Sequence, residues 1–184
     1  MDFKDLQQLF TEILSNKENK APYDNADYLN YTKLNHSRLN RWIKHGEVLN
    51  EVKEFIKSLT QNQKWVLITE PWCGDAAHSV PFIYLISSLS DNINLQIQLR
   101  DSNSEIDNYL TNGGKSIPIL IIRDENNTDL GVWGPRPEKC QEKFLSMKEQ
   151  NLDFEQQKVE LQNWYNHDQG VSIQKEILEI LKNL

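Results

Sequence analysis

The sequence predicts an α/β fold: a four-stranded mixed sheet in the order βαβ, helix, β-hairpin, helix, flanked by helices and extended by further helices at both ends. Three observations predict it. Up to residue 60 the apolar residues recur at three- and four-residue spacing, and no convincing strand precedes residue 64. Short β-rich runs then appear at Trp65–Thr69 (WVLIT), 93–99 (INLQIQL), 117–122 and 130–133. An apolar helix separates the first two runs, so a right-handed crossover sets them parallel, while the polar turn Arg123–Asn127 joins the last two as a hairpin.

Taken in order, Phe3, Leu6, Leu9, Phe10, Ile13 and Leu14 form one helical stripe. After a polar stretch near Pro22, a second helix is expected to bury Leu34, Leu39, Trp42 and Ile43. A third, after Gly46, carries Val48, Val52, Phe55, Ile56 and Leu59. Trp65–Thr69 is a short, continuous, β-rich run, as in a strand covered on both faces. The turn Pro71–Gly74 leads into a helix through Val80, Ile83, Ile86 and Leu89. Residues 93–99 alternate strictly, which suits a half-exposed edge strand. Ser102 and Glu105 suggest a capping box for a short helix ending at Asn112-Gly113-Gly114. Pro135 and Pro137 open a helix over 137–150; two more follow near 152–166 and 171–183, with Gly170 between. The expected organisation is one domain, 1–184, with an N-terminal helical extension (1–60), a core (61–150) and a C-terminal extension (151–184).

Composition narrows the function. The 184 residues carry 20 Lys+Arg against 27 Asp+Glu, a formal net charge of -7. With no basic cluster, nucleic acid is an unexpected partner. No apolar run reaches the ~20 residues of a membrane span, so no membrane partner is expected, and the charged start does not resemble a signal peptide. There are only two cysteines, Cys73 and Cys140, which excludes a disulfide scaffold and points to a reducing cytoplasm.

The chemistry concentrates in Glu70-Pro71-Trp72-Cys73-Gly74-Asp75-Ala76, which puts a lone thiol between a buried strand and a helix. The helix dipole and free N–H groups there favour thiolate and can draw a thiol from ~8.5 down to ~3.5–7.5, although Asp75 opposes this if its carboxylate faces the sulfur. Other features read more plainly. His78 is expected to be a satisfied core histidine, and His36, His45 and His167 show no metal spacing. Gly113-Gly114-Lys115-Ser116 lies on a helix-to-strand connection, the wrong order for a phosphate-binding loop. Trp164-Tyr165 reads as a docking pair, and Arg38, Arg41 and Lys44 as a solvated face.

These residues resemble the thioredoxin-like superfamily, and specifically bacterial thioredoxin-family proteins with long helical extensions. Trp72-Cys73-Gly74-Asp75-Ala76 is similar to the Trp-Cys-Gly-x-x active-site turn, and Pro81 falls where thioredoxins kink the following helix. Ser116-Ile117-Pro118 is similar to the cis-proline loop beside the reactive sulfur, and Gly134 to a glycine lining the same surface. The resemblance covers about residues 60–150. It implies a thioredoxin fold, Cys73 as the reactive thiol, and Trp72, Gly74, Asp75, Ala76, Ile117, Pro118, Gly134 and Arg136 around it. The helical extensions read either as a shield over the groove or as a replacement for the missing first strand of a larger sheet, and the second is the expectation.

Two departures matter. Ala76 stands where the second cysteine of a CxxC turn would be, so release of a mixed disulfide requires another thiol. Leu67 stands where thioredoxins bury a carboxylate. Cys140 is expected to be core packing rather than that second thiol. Arg136 reads either as a group that stabilises the Cys73 thiolate or binds an anionic thiol such as glutathione, or as a solvated surface arginine. The expected activity is a monothiol thiol-disulfide oxidoreductase with no bound cofactor, exchanging with protein or small-molecule thiols and disulfides. The alternatives are a redox-inactive binding module and a thiol sensor.

Overall fold

The computed structural model describes residues 1–184. Helix α1 (Phe3–Ser15) starts on a capping box between Asp2 and Asp5 and buries Phe3, Leu6, Phe10 and Ile13. Helix α2 (Ala26–His45), capped by Asn25, begins earlier than the sequence pattern suggests. Its inward stripe is Thr32, Asn35, Leu39 and Trp42, whereas Leu34, expected inside, is 53% exposed. Leu34 lies two residues from Thr32, about 200° around the helix, so the buried face passes it by and takes polar side chains instead. Helix α3 (Asn50–Ser58) buries Val52 and Ile56.

Strands β1 (Gln63–Thr69), β2 (Ile93–Leu99), β3 (Ile119–Arg123) and β4 (Asp129–Trp133) form one sheet in the order β2-β1-β3-β4. As expected, β1 and β2 are parallel and β3–β4 is an antiparallel hairpin. Helix α4 (Gly74–Ser87), with Pro81 inside it, is the crossover. Helices α5 (Glu138–Glu149), α6 (Phe154–Asp168) and α7 (Val171–Lys182) complete the chain. The registers put Trp65, Leu67, Leu120, Ile122, Gly131 and Trp133 on one face. Helix α7 covers that face: a Cβ on Gly131 would lie 2.4 Å from Ile180, and Trp133 Nε1 donates to Glu176 at 2.7 Å. Trp65, Leu67, Leu120 and Ile122 are fully buried, each side chain contributing ~1.5–3 kcal/mol.

The opposite face is closed without the predicted short helix. Only a 3-10 turn forms, at Ile106–Asn108. Glu105 makes no capping box; its carboxylate accepts from Gln98 on β2 and Arg123 on β3, which pins the segment across the sheet and buries Ile106. Gly113 and Gly114 belong to a tight turn closed by reciprocal Thr111–Gly114 hydrogen bonds, with Gly113 at φ 79°, so they are not a helix cap. At the β2 edge the first residue stands in for a further strand: Ile97 N donates to Met1 O at 2.8 Å, and the Met1 amine donates back at 3.1 Å.

Candidate functional site

Cys73 is the N-cap of α4, at the carboxyl end of β1, and the turn is closed by its N–H donating to Glu70 O at 3.0 Å. Its thiol donates to Ile117 O at 3.4 Å, the carbonyl before Pro118, whose peptide bond to Ile117 is cis. Gly134, at φ 125°, packs on that same loop: a Cβ there would lie 2.2 Å from Pro118 O. The structure thus brings together Trp72, Cys73, Gly74, Ile117, Pro118 and Gly134. Ala76, one turn into α4, is buried, and Leu67 is fully buried. Trp72 is half-buried, with the Arg100 guanidinium 4.5 Å from its ring centre.

The contest over the thiol goes against thiolate. Burial comes first and the Asp75 charge second, and together they push Cys73 up to about 12, outweighing the α4 N–H groups and Arg136. Asp75 faces inward. Its Oδ2 pairs with Arg136 Nη2 at 2.7 Å, and its Oδ1 accepts from the Tyr165 hydroxyl at 2.9 Å. Arg136 is therefore not a solvated arginine, and its charge, which favours the thiolate, is shared with Asp75. Its side chain is 16% exposed, committed to Asp75 and Gln141, and stacked 4.1 Å from the Phe144 ring centre. Its Nε is buried without a partner.

Cys140 is fully buried and unpaired, its thiol also pushed up to about 12 by burial and then by Asp75. His78 is a satisfied core histidine, as expected. Its Nδ1 accepts from Trp42 Nε1 at 2.9 Å, Nε2 lies 3.2 Å from Gln162 Oε1, and burial holds it down at about 3. That fixes the neutral tautomer with the proton on Nε2.

The extensions reach this site. A Cβ on Gly74 would lie 2.4 Å from the Tyr31 hydroxyl, and Asn35 Nδ2 donates to Pro71 O at 3.1 Å, so α2 is laid against the Cys73 turn. From the other side α6 presents Lys158, whose ammonium sits 5.2 Å from the Tyr31 ring centre, and Tyr165, stacked on His78 at 4.5 Å. Between α2, the turn, α5 and α6 lies a cavity of about 520 Å³ with Cys73 in its wall. Hence the extensions do not merely replace a strand; two of them enclose the thiol. Tyr165 is buried and docks α6 on α4 by stacking on His78, as expected, and it also lines the cavity; Arg38 lines the cavity rather than lying in a solvated face. The available signal was periodicity: Tyr28, Tyr31, Asn35 and Arg38, and likewise Phe154, Lys158, Leu161 and Tyr165, recur at three- and four-residue steps.

A single cysteine at a helix N-cap position beside a cis-proline loop, on a β2-β1-β3-β4 sheet, defines a thioredoxin-like protein. A family profile described as thioredoxin matches residues 21–158, and the chain belongs to that family. Its match takes in α2 as well as the sheet. A protein of unknown function from Pseudomonas aeruginosa superposes with a TM-score of 0.60 at 14% identity, over 100% of this chain and 98% of its own. An HIV epitope-scaffold does so with a TM-score of 0.58 at 15% identity, over 100% and 99%. Both likenesses are of fold. No curated protein matches the chain in sequence. No helix is long and apolar enough to cross a membrane.

Proposed function

We propose that this protein is a thiol-disulfide oxidoreductase of monothiol type, with Cys73 forming mixed disulfides that an external thiol, such as glutathione, resolves. The observation that carries this reading is the position of the Cys73 sulfur. It sits at the N-terminus of α4, faces the Ile117–Pro118 loop, and borders a cavity that an exchanging sulfur can enter. Burial of Ala76 in the next turn leaves no thiol there to resolve the bond. Arg136, Asp75 and Tyr165 act as positioning residues around the sulfur. The unpaired cysteines suit a reducing compartment, the cytoplasm.

The burial that pushes the thiol up favours a second reading, a redox-inactive thioredoxin-fold binding module. Thiol trapping with intact-mass and peptide mass spectrometry separates the two. The oxidoreductase forms a mixed disulfide on Cys73 that glutathione reduces repeatedly, and Cys73→Ser abolishes it. Failure of the wild-type chain to form any mixed disulfide with small or protein disulfides overturns the first reading and leaves the second.

A further inference from the structure

The cavity beside Cys73 has a charge character opposite to that of the chain. Its lining includes four cations, Arg38, Arg136, Lys148 and Lys158, against two carboxylates, Asp27 and Asp75, whereas the whole chain is at -7. Asp75 is already taken up by Arg136. Lys158 is paired with the exposed Glu155 at 2.7 Å, whereas Lys148, on the rim, has no carboxylate partner and lies 4.7 Å from the Phe144 ring centre, and Arg38 donates to the neutral Asn35. His78, which also faces the space, is held neutral. The remaining walls are largely aromatic, with Tyr28, Tyr31, Trp72 and Tyr165. A volume of about 520 Å³ falls within the ~300–1,000 Å³ typical of small-molecule sites. Cys73 is only 7% exposed behind α2 and α6, so a disulfide on the surface of a folded protein is poorly placed to reach it.

We propose that this cavity binds an anionic low-molecular-weight thiol or its disulfide, and that such a molecule, rather than a protein, is the partner with which Cys73 exchanges. The inference rests on the oxidoreductase reading and names its substrate class. In the exchange step the Cys73 thiol loses its proton to water. The sulfur's electron pair then forms a bond to the nearer ligand sulfur as the ligand's S–S bond breaks. The far half leaves as a thiolate and takes up a proton. Cys73 is oxidised to the mixed disulfide, and the departing half is reduced to a thiol. Arg38 and Lys148, the two cations without a carboxylate partner, hold the ligand's carboxylates, and the aromatic walls hold its carbon skeleton.

The test uses the full chain carrying Cys140→Ala and two disulfides of similar length, dianionic dithiodipropionate and dicationic cystamine. Mixed-disulfide formation is followed by intact mass, each rate divided by the rate of the same disulfide with N-acetylcysteine. The anionic disulfide should be favoured at least about tenfold, and Arg38→Gln/Lys148→Gln should remove most of that preference, since both charges act at short range within a partly enclosed space. Equal rates, or faster reaction with cystamine, overturn the proposal while leaving the oxidoreductase reading intact. If neither disulfide reacts, that reading fails, and the cavity is tested alone by calorimetry with S-methylglutathione, which carries carboxylates and no free thiol. Saturable binding that the double variant weakens supports an anion-binding cavity; no binding overturns it.

Discussion

Cys73 should be a slow nucleophile in the native protein, and the size of the effect follows from its surroundings. Burial and Asp75 hold the thiol at about 12. At pH 8 the thiolate fraction is then ~10⁻⁴, against ~0.2 for an unperturbed thiol of pKa ~8.5. The more basic thiolate is intrinsically the better nucleophile, by ~40-fold for a shift of ~3.5 units at a Brønsted slope of ~0.45. The net expectation is alkylation ~60-fold slower than a free cysteine at pH 8, before any steric exclusion. The assay is iodoacetamide labelling of the Cys140→Ala chain from pH 6 to 11, read by intact mass. The rate should climb about tenfold per pH unit with no plateau below pH ~11. Asp75→Asn removes the second-largest effect opposing thiolate and frees the Arg136 charge, while leaving an oxygen to accept from Tyr165. Each unit by which the thiol then falls should speed labelling ~3–4-fold below the plateau. A wild-type plateau at pH 9 or lower, or slower labelling of Asp75→Asn, refutes the argument that burial and Asp75 govern this sulfur.

Three further outcomes are expected. His78 is held neutral down to about 3, so the unfolded chain binds a proton near pH 6.5 that the folded chain refuses, and stability falls with acid. Between pH 7 and 5 that costs ~2 kcal/mol, and urea unfolding of His78→Gln should show a pH slope shallower by about one proton. Gly134→Ala should destabilise by ~2–4 kcal/mol in denaturant titrations, because an L side chain is strained at φ 125° and its Cβ would meet Pro118 O. Arg123 hydrogen bonds lower the Glu105 carboxyl; Asp129 is also lowered, its desolvation being outweighed by hydrogen bonds from Tyr109 and Arg123. Arg123→Met should therefore cost ~1–2 kcal/mol at pH 7, less than a fully buried pair because the two carboxylates are 35% and 41% exposed. That stability is present above the unfolded carboxylate range and lost as pH falls below it, so the cost should shrink below pH ~4.

The sheet was legible in the sequence because each strand carries its own signal. Trp65–Ile68 is apolar throughout and lies at the centre, whereas 93–99 alternates and lies at an edge. Cys73 stood out as a lone thiol between a strand and a helix, whereas Ile117, Pro118 and Gly134 were joined to it only through the resemblance to thioredoxins; the structure places all four around one loop. The segment from 101 to 115 was misread because its Ser102/Glu105 spacing fits a helix start, while Gln98 and Arg123, from two different strands, recruit the Glu105 carboxylate instead. Such competition between a local cap and a tertiary ion pair cannot be read from a window of sequence.

The same limit explains the electrostatics of the site. A helix N-terminus lowers a thiol when water or a cation completes its surroundings. Here α2 and α6 cover the sulfur, and the Arg136 guanidinium, whose charge favours the thiolate, is engaged with Asp75. Arg38 and Tyr165, read as a solvated charge and a docking ring, fall on the helical stripes that enclose the cavity. The helices that make Cys73 selective in what can reach it are therefore the ones that make it a weak acid. Access and reactivity are set by the same walls. A substitution that opens the cavity, such as Tyr31→Ala, should consequently both lower the Cys73 thiol toward its ordinary range and erode any preference for anionic disulfides. Labelling across pH and the two-disulfide comparison on that one variant measure the two effects together. Movement of one without the other would show that the walls do not couple them.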